Sequence, residues 1–307
     1  MKVAYWPGCV SRGFTPELHG SMAKVAPLLD IELVELNRAN CCGAGVIAEH
    51  SQELADTLNA RTFALAQKEI ERGADLMMNI CSTCQGAQGE CQERLDASAA
   101  YREEVNKHLT PEGLEYAKGL VNKNFLWVLV EELGLDELAK RVKRPLTDLK
   151  VGPFYGCYIV RPVDRLGIDD ANPRDTYLEQ VIETLGGTVV EYTGAQKCCG
   201  FPISLMQKET SMRMAGRNLG EAKDQGADCL VTPCPLCHLN LDMQQPVVSK
   251  TIGRELQMPV LHLPQMVGLA LGMDPKELGL GKHVVKPTSV IDWTTSVVGS
   301  VGALSAA

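Results

Sequence analysis

Cysteine is the residue type whose number and spacing point most directly to chemistry in this chain. Twelve cysteines occur among 307 residues, and they form two groups with none between residues 92 and 156. Five members of each group follow the same order: a lone cysteine after a glycine, an adjacent pair before a glycine, and a C-x-x-C motif. These ten are Cys9, Cys41, Cys42, Cys81 and Cys84, then Cys157, Cys198, Cys199, Cys234 and Cys237.

The sequences around these cysteines indicate an internal duplication. VAYWPGC, which ends at Cys9, corresponds to VGPFYGC, which ends at Cys157. LVELNRANCCG corresponds to VVEYTGAQKCCG, and ERGADLMMNICSTC corresponds to DQGADCLVTPCPLC. The pattern therefore predicts two copies of one module of roughly 85 residues. Cys91 and Cys229 have no counterpart in the other copy, and we expect neither to bind a metal. Cys229 lies on an apolar predicted strand, where a small buried thiol is usual.

Five thiolates per module limit the kind of metal site that each module can form. A structural zinc ion takes four ligands, and an ordinary iron–sulfur cube also takes four. An adjacent cysteine pair reaches one small tetrahedral ion only with backbone strain, but it can reach two irons of a larger cluster. The pattern therefore favours an extended iron–sulfur cluster in each module. The alternatives are zinc in at least one module, disulfides, or buried free thiols. Glycines in the cysteine loops (Gly8, Gly43, Gly45, Gly156 and Gly200) permit backbone conformations closed to other residues.

The elements that position the cysteines are predicted to alternate between strand and helix. In the first copy, strands are predicted at residues 2–5, 31–36 and 76–80 and a helix at 51–72; in the second, strands at 149–155, 188–192 and 229–232 and a helix at 210–225. This order predicts an α/β fold of two duplicated modules, each a small, mainly parallel sheet flanked by helices. In such sheets ligands bind beyond the carboxyl ends of the strands, so the five cysteines of each module should converge on that edge. Packing of the two copies about an approximate two-fold axis would then bring the two cysteine groups toward a common interface.

The remaining segments define the expected domain boundaries. Residues 1–148 form an N-terminal module with a connector, predicted to be helical over residues 114–142, and residues 149–287 form a C-terminal module. Residues 288–307 are small and polar, and we expect a flexible tail that contacts a partner or, more weakly, a membrane surface.

Composition excludes several classes of function. Hydrophobic residues make up 45% and charged residues 22% of the chain, and the formal net charge is −8, which argues against nucleic-acid binding. The sequence shows no signal peptide and no run of apolar residues long enough for a transmembrane helix. We therefore expect a cytoplasmic protein that is at most held at the membrane periphery through a complex.

The cysteine motifs also resemble those of a known family. CCGAG (41–45) with CSTC (81–84), and KCCG (197–200) with CPLC (234–237), are similar to the motifs of the cysteine-rich CCG domain. CPLCHLNLD (234–242) and VLHLPQMVGLALGMDPKELGL (260–280) more specifically resemble the B subunit of heterodisulfide reductase, including the bacterial versions linked to sulfur oxidation. The resemblance covers residues 3–283. Tyr158 and Phe201-Pro202 differ from the pattern of the methanogen enzymes.

The resemblance implies a cofactor, a reaction and partners. Each module would hold a noncubane 4Fe–4S cluster on its five cysteines, and the chain would be the catalytic subunit that cleaves or forms a disulfide, or converts a thiol or persulfide. Electrons would pass through a ferredoxin-like iron–sulfur subunit and a flavoprotein subunit of the same complex. The alternatives are an electron-transfer subunit of a CCG-type dehydrogenase that delivers electrons to quinone, and a zinc-stabilised assembly module.

Few other side chains suggest chemistry. His238 follows a predicted ligand and is a candidate proton donor or cluster-orienting residue, while Lys197 and Arg161 can lend positive charge to an anionic substrate. The other histidines lack a catalytic motif and are expected to be structural: His19, His50, His108, His262 and His283. No Walker A or GxGxxG loop occurs, so we expect the chain itself to bind neither nucleotide nor flavin.

Overall fold

Two parallel sheets organise the chain in the computed structural model, which describes residues 1–294. The first sheet has the strand order β2-β1-β3-β4 and the second has the order β6-β5-β7-β8. The strands are β1 Lys2–Trp6, β2 Glu32–Glu35, β3 Leu76–Asn79, β4 Asn122–Asn124, β5 Lys150–Pro153, β6 Thr188–Val189, β7 Cys229–Thr232 and β8 Val260–His262. All neighbouring strands pair in parallel, which confirms the predicted α/β fold of two similar modules.

Helices connect the strands and cover the sheets. The first module contains α1 Cys9–Gly13, α2 Pro16–Val25, α3 Val46–His50, α4 Gln52–Glu71, α5 Ser82–Ala97, α6 Ala99–Leu109, α7 Phe125–Trp127 and α8 Leu135–Lys140. The second contains α9 Val163–Leu166, α10 Tyr177–Thr184, α11 Lys208–Asp224, α12 Pro235–His238, α13 Gln245–Ile252 and α14 Leu263–Ala270. Both α7 and α12 continue as short π-helices, Val128–Leu133 and Leu239–Met243.

The long helix of each module lies close to its predicted position. Ser51 caps α4, because its side chain accepts a hydrogen bond from the backbone N–H of Leu54 at 3.2 Å. The buried face of α4 includes Ala55 and Phe63, and α11 occupies the same place in the second module.

The predicted helix over residues 114–142 is wrong in part. Residues 122–124 form β4, and only short helical segments follow it. The buried side chains of this strand are amides: Asn79 Nδ2 donates to Asn122 Oδ1 at 3.2 Å and Asn124 Nδ2 donates to Asn79 Oδ1 at 3.1 Å. A strand whose buried positions are asparagines lacks the apolar pattern that sequence analysis relies on. The strand β8 is also absent from the predicted elements, so each sheet has four strands rather than three.

The predicted flexible tail begins too early. Residues 288–294 are helical, and Val290 and Trp293 are buried in the core. Trp293 Nε1 also donates a hydrogen bond to the backbone oxygen of Thr147 at 2.7 Å. The rest of the predicted tail, 295–307, lies outside the described residues.

The two modules share one core and pack reciprocally. Val3 and Tyr5 of the first sheet and Val151 and Val231 of the second belong to the same buried cluster. Helix α1 contacts α12, and the corresponding helix α9 contacts α5. Helix α2 packs against α14, and the corresponding α10 packs against α7. Because each contact is matched by its counterpart, the modules are related by an approximate two-fold axis.

Gly86 in α5 gives a test of this interface. A Cβ added there would lie 2.8 Å from the backbone oxygen of Tyr158, in the cysteine loop of the other module. We expect Gly86→Ala to destabilise the protein by about 2 kcal/mol, the cost typical of overpacking. Gly89→Ala on the same helix is the control, because its Cβ would lie 3.7 Å from the Arg165 side chain. Thermal unfolding followed by circular dichroism should show a lower midpoint for Gly86→Ala alone; equal midpoints would contradict the close packing.

Candidate metal centre

All ten repeated cysteines lie just beyond the carboxyl ends of the strands, as predicted. In the first module, Cys9 begins α1 after β1, Cys41 and Cys42 follow β2, and Cys81 caps α5 after β3. The second module repeats this arrangement, and Cys234 is the residue that precedes α12. The C-x-x-C motifs are fixed in matching ways: Cys81 N–H donates to Asn79 Oδ1 at 3.2 Å, and Cys234 N–H donates to Thr232 Oγ1 at 3.3 Å.

The thiols of each module lie side by side. In the first module Cys9 Sγ and Cys41 Sγ are 3.3 Å apart. The series then continues by hydrogen-bonding contacts from Cys41 to Cys42, from Cys42 to Cys84 and from Cys84 to Cys81. The second module has the equivalent series, Cys157, Cys198, Cys199, Cys237 and Cys234.

The two series meet at the centre of the molecule. Cys81 contacts Cys234, its counterpart in the other module. Thr83 Oγ1 lies 3.4 Å from Cys234 Sγ, and Ser82 N–H donates to the backbone oxygen of Pro233 at 3.0 Å. The ten thiols therefore form one continuous array across the approximate two-fold axis.

The glycine of each CCG motif explains how the adjacent cysteines are held. Gly43 and Gly200 have φ values of +71° and +91°, a region that strongly favours glycine. After this turn the chain directs N–H groups back at the sulfurs: Gly200 N–H donates to Cys198 Sγ at 3.3 Å and Phe201 N–H donates to Cys199 Sγ at 3.4 Å. All five glycines of the cysteine loops have a positive φ, as expected from the sequence: Gly8, Gly43, Gly45, Gly156 and Gly200.

These hydrogen bonds alter the acidity of the thiols. The hydrogen bonds from Cys42 and Cys9 lower the pKa of Cys41 to about 2, and those from Cys157 and Cys199 lower the pKa of Cys198 to about 3. Cys42 has its pKa raised to about 12, chiefly because it donates to Cys41. Burial acts to raise the pKa of Cys234, but its contacts with Cys237, Cys81 and Thr83 lower that pKa well below the usual thiol value. The protein thus stabilises one thiolate in the first module and two in the second, while the other thiols need a metal to become thiolates.

The donor set fits an iron–sulfur cluster in each module. Five sulfurs surround each site and backbone N–H groups point at them, an arrangement suited to thiolate ligands and to the negative charge of a cluster. Burial is graded in the same way in both modules: Cys9, Cys41, Cys157 and Cys198 are at least partly exposed, and the other six thiols are buried.

Cys91 and Cys229 lie apart from the array. Both are fully buried, Cys91 in α5 and Cys229 in β7, and burial raises the pKa of each thiol. We therefore expect Cys91→Ser and Cys229→Ser to keep nearly all their iron. Iron analysis of anaerobically purified variants checks this, and loss of about half the iron from either variant would show that the ligand set is wrong.

A cavity of about 560 Å³ opens beside the array, between the modules. Four thiols of the second module line it: Cys157, Cys199, Cys234 and Cys237. The first module contributes Ala44, Gly45, Ser82 and Thr83, and apolar side chains including Phe201, Leu205 and Met206 form much of the remaining wall. A smaller neighbouring cavity reaches Cys42. The larger cavity is therefore suited to a ligand that approaches the second site.

The residues that differ from the methanogen pattern also line this cavity. Tyr158, Phe201 and Pro202 all contribute to its wall. Burial, followed by the nearby Glu90, raises the pKa of Tyr158, so its phenol is protonated at neutral pH and can donate a hydrogen bond.

The three candidate residues outside the cysteine array do not line the cavity within the described chain. Lys197 is exposed, and Arg161 is exposed and donates to the backbone oxygen of Gln196. Arg161 is close enough to Cys198 for its positive charge to help lower the pKa of that thiol. That Lys197 and Arg161 lend positive charge to an anionic substrate therefore stays a prediction. His238 is buried and directly follows Cys237 in α12, and its catalytic role stays a prediction.

His238 belongs to a buried cluster that sequence analysis does not assemble. Its ring stacks on His262 with centroids 3.9 Å apart, and its Nε2 lies 3.5 Å from His283 Nδ1. Glu17 Oε1 of the first module lies 3.4 Å from His262 Nε2. Burial lowers the pKa of all three histidines, that of His283 to about 4, so the rings are neutral.

The ligand atoms of Glu17, His238 and His283 lie within 4.8 Å of one another, but the hydrogen bonds do not suit a metal ion. Gln265 Oε1 accepts from His262 N–H at 2.9 Å, so its Nε2 is the atom that donates to His283 Nε2, also at 2.9 Å. The neutral ring of His283 then carries its proton on Nδ1, which faces His238. The cluster is therefore a structural contact that connects Glu17 of α2 with His238, the residue that follows Cys237.

Among the described residues, no helix is both long enough and apolar enough to cross a membrane.

Comparisons with known proteins agree with this architecture. The family model of the cysteine-rich domain, CCG, matches residues 3–87 and 151–242. The solved structure of a hypothetical protein from Helicobacter pylori superimposes with a TM-score of 0.74 at 16% identity over 93% of this chain. This chain spans 52% of that protein's length, and the likeness concerns the fold alone.

Two curated relatives are similar over nearly their whole length. The 8-methylmenaquinol:fumarate reductase membrane anchor subunit of Wolinella succinogenes is 36% identical over 94% of this chain and 98% of its own. The B subunit of the ferredoxin/F(420)H(2)-dependent CoB-CoM heterodisulfide reductase of Methanosarcina acetivorans is 28% identical over 93% of this chain and 94% of its own. Because the family model matches both modules and each carries the complete cysteine pattern, the chain belongs to the family of the cysteine-rich CCG domain.

Proposed function

We propose that this chain is the redox subunit of a multi-subunit oxidoreductase that acts on a sulfur group, a disulfide or a thiol. The observation that carries the proposal is the continuous array of ten thiols, joined at Cys81 and Cys234 and open to a cavity of about 560 Å³. Relatives named as B subunits of heterodisulfide reductases support the same chemistry.

Two noncubane 4Fe–4S clusters are the cofactors that this proposal requires. The first would be held by Cys9, Cys41, Cys42, Cys81 and Cys84, and the second by Cys157, Cys198, Cys199, Cys234 and Cys237. Such clusters supply one-electron redox chemistry and iron that binds sulfur. The thiolate-stabilising hydrogen bonds at Cys41 and Cys198 support this ligand set.

The protein's own residues bind and orient the substrate. Phe201, Leu205 and Met206 give the cavity an apolar surface against which the apolar part of a substrate can pack. The protonated phenol of Tyr158 is available to donate a hydrogen bond to that sulfur as it gains negative charge. Because the sequence has no nucleotide or flavin loop, partner subunits must exchange the electrons; a ferredoxin-like iron–sulfur subunit and a flavoprotein subunit suit this role.

Electron transfer to or from a quinone is the second candidate function. The 36% identical relative is named for 8-methylmenaquinol, and side chains at the cavity mouth are apolar and exposed, Leu205 at 87% and Met206 at 67%. A quinone ring would find an apolar surface there.

Electron paramagnetic resonance separates the two functions. The oxidised, anaerobically purified protein is measured alone and with 2-mercaptoethanol, glutathione or 1-butanethiol. A signal that depends on thiol supports sulfur chemistry at the clusters. No response to any thiol, together with rapid cluster reduction by menadiol, would overturn the first function in favour of the second.

A further inference from the structure

The charged side chains that line the cavity beside the cysteine array are acidic. Among the described residues, Glu49 and Glu90 are the charged side chains that line it, and no Lys or Arg does. Glu90 pairs with Arg165 at 2.9 Å, so part of its charge is compensated from outside the wall. Glu49 is exposed at α3 and forms no ion pair within residues 1–294.

The rest of the cavity wall also disfavours a bound anion. Most of the remaining wall is apolar, including Val46, Phe201 and Leu236, and four cysteines that line it are predicted thiolate ligands. An anion placed there would leave water for a wall that contains no cation, because Arg165 and Arg161 act from outside the wall, on Glu90 and on Cys198. The carboxylate of Glu49 would repel the anion. An uncharged molecule meets neither penalty and gains from the apolar wall.

We infer that this cavity selects uncharged substrates with an apolar body and rejects anions, and that Glu49 is a specificity-determining residue. The inference rests on the proposed function for the location of the substrate. The preference for uncharged molecules over anions, here called the charge rule, applies equally to a thiol and to a quinone. It opposes the prediction that Lys197 and Arg161 lend positive charge to an anionic substrate, because neither residue lines the cavity, although Arg161 lies near Cys198.

Equilibrium dialysis of the cluster-loaded full chain tests the rule directly. The probes are paired by charge: 1-butanethiol with 3-mercaptopropionate, and menadione with anthraquinone-2-sulfonate. We expect at least one pair to bind. Within such a pair, at low ionic strength, the neutral probe should bind at least about tenfold more tightly than the anionic probe. Added salt should narrow the difference, because Glu49 is exposed to solvent.

Substitution of Glu49 identifies its contribution. Glu49→Gln should raise the affinity for the anionic probes about threefold, and Glu49→Lys about tenfold, with little effect on the neutral probes. Glu53→Gln is the matched control, because Glu53 is exposed on α4, pairs with His108 and does not line the cavity.

Each outcome decides a separate question. Anionic probes that bind as tightly as neutral ones, Glu49 variants that bind all probes like the unmodified chain, or binding of no probe at all would overturn the charge rule. Failure of the thiols alone, with menadione still bound in preference to its anionic partner, would keep the charge rule and reject the sulfur substrate of the proposed function.

Discussion

Cys42→Ala and Cys199→Ala should each lose about half of the chain's iron and abolish turnover of a disulfide or thiol in the reconstituted complex. Each variant removes one buried sulfur from one five-thiolate site, and the neighbouring cysteine of the CCG pair then loses one of its two hydrogen-bond donors. Because the sites lie in different modules, the intact module should keep its cluster. Iron analysis and turnover by the same preparation measure both effects.

Cys91→Ser is the matched control for these variants. It also alters a buried cysteine, but one that lies outside the array. Loss of all iron from Cys42→Ala would show that the two sites assemble as one unit, and full iron in Cys199→Ala would remove Cys199 from the ligand set.

Ala48→Trp should block the cavity without disturbing the clusters. Ala48 lies on α3, lines the cavity and is half-buried, so a larger side chain can extend into the space that a substrate would occupy. We expect turnover to fall at least about tenfold, equivalent to about 1.4 kcal/mol in the activation barrier, while iron content stays unchanged.

Ala48→Ser is the conservative control, because it changes the volume little at the same position. If Ala48→Trp holds its full iron and turns over substrate at the normal rate, the substrate does not enter through this cavity. Electron transfer from a chemical reductant to the clusters should be normal in both variants.

The repeated sequence is sufficient to predict the parallel sheets and the grouping of the ten cysteines. Strands such as β1 and β3 are short, apolar and followed closely by a cysteine, so the pattern locates both the element and the residue that it positions. The fourth strand of each sheet escapes prediction. In the first sheet the reason is that β4 buries Asn122 and Asn124 through amide hydrogen bonds rather than through apolar side chains.

Contacts that depend on how the modules pack are beyond sequence analysis. The contact between Cys81 and Cys234 joins residues far apart in the chain and exists because the two copies face each other about an approximate two-fold axis. His238, His262 and His283 have no informative spacing, and only the fold brings them together. Glu49 has no sequence signal either, because its importance depends on which side chains share the cavity wall.

Metal and sulfide analysis of the anaerobically purified chain tests the central claim most directly. Two five-thiolate sites predict about eight iron atoms, a similar amount of acid-labile sulfide and little zinc per chain. Cys91→Ser and Cys229→Ser should give the same values. About two zinc ions with less than one iron atom per chain would contradict the account, because the cysteines would then form structural zinc sites without redox chemistry.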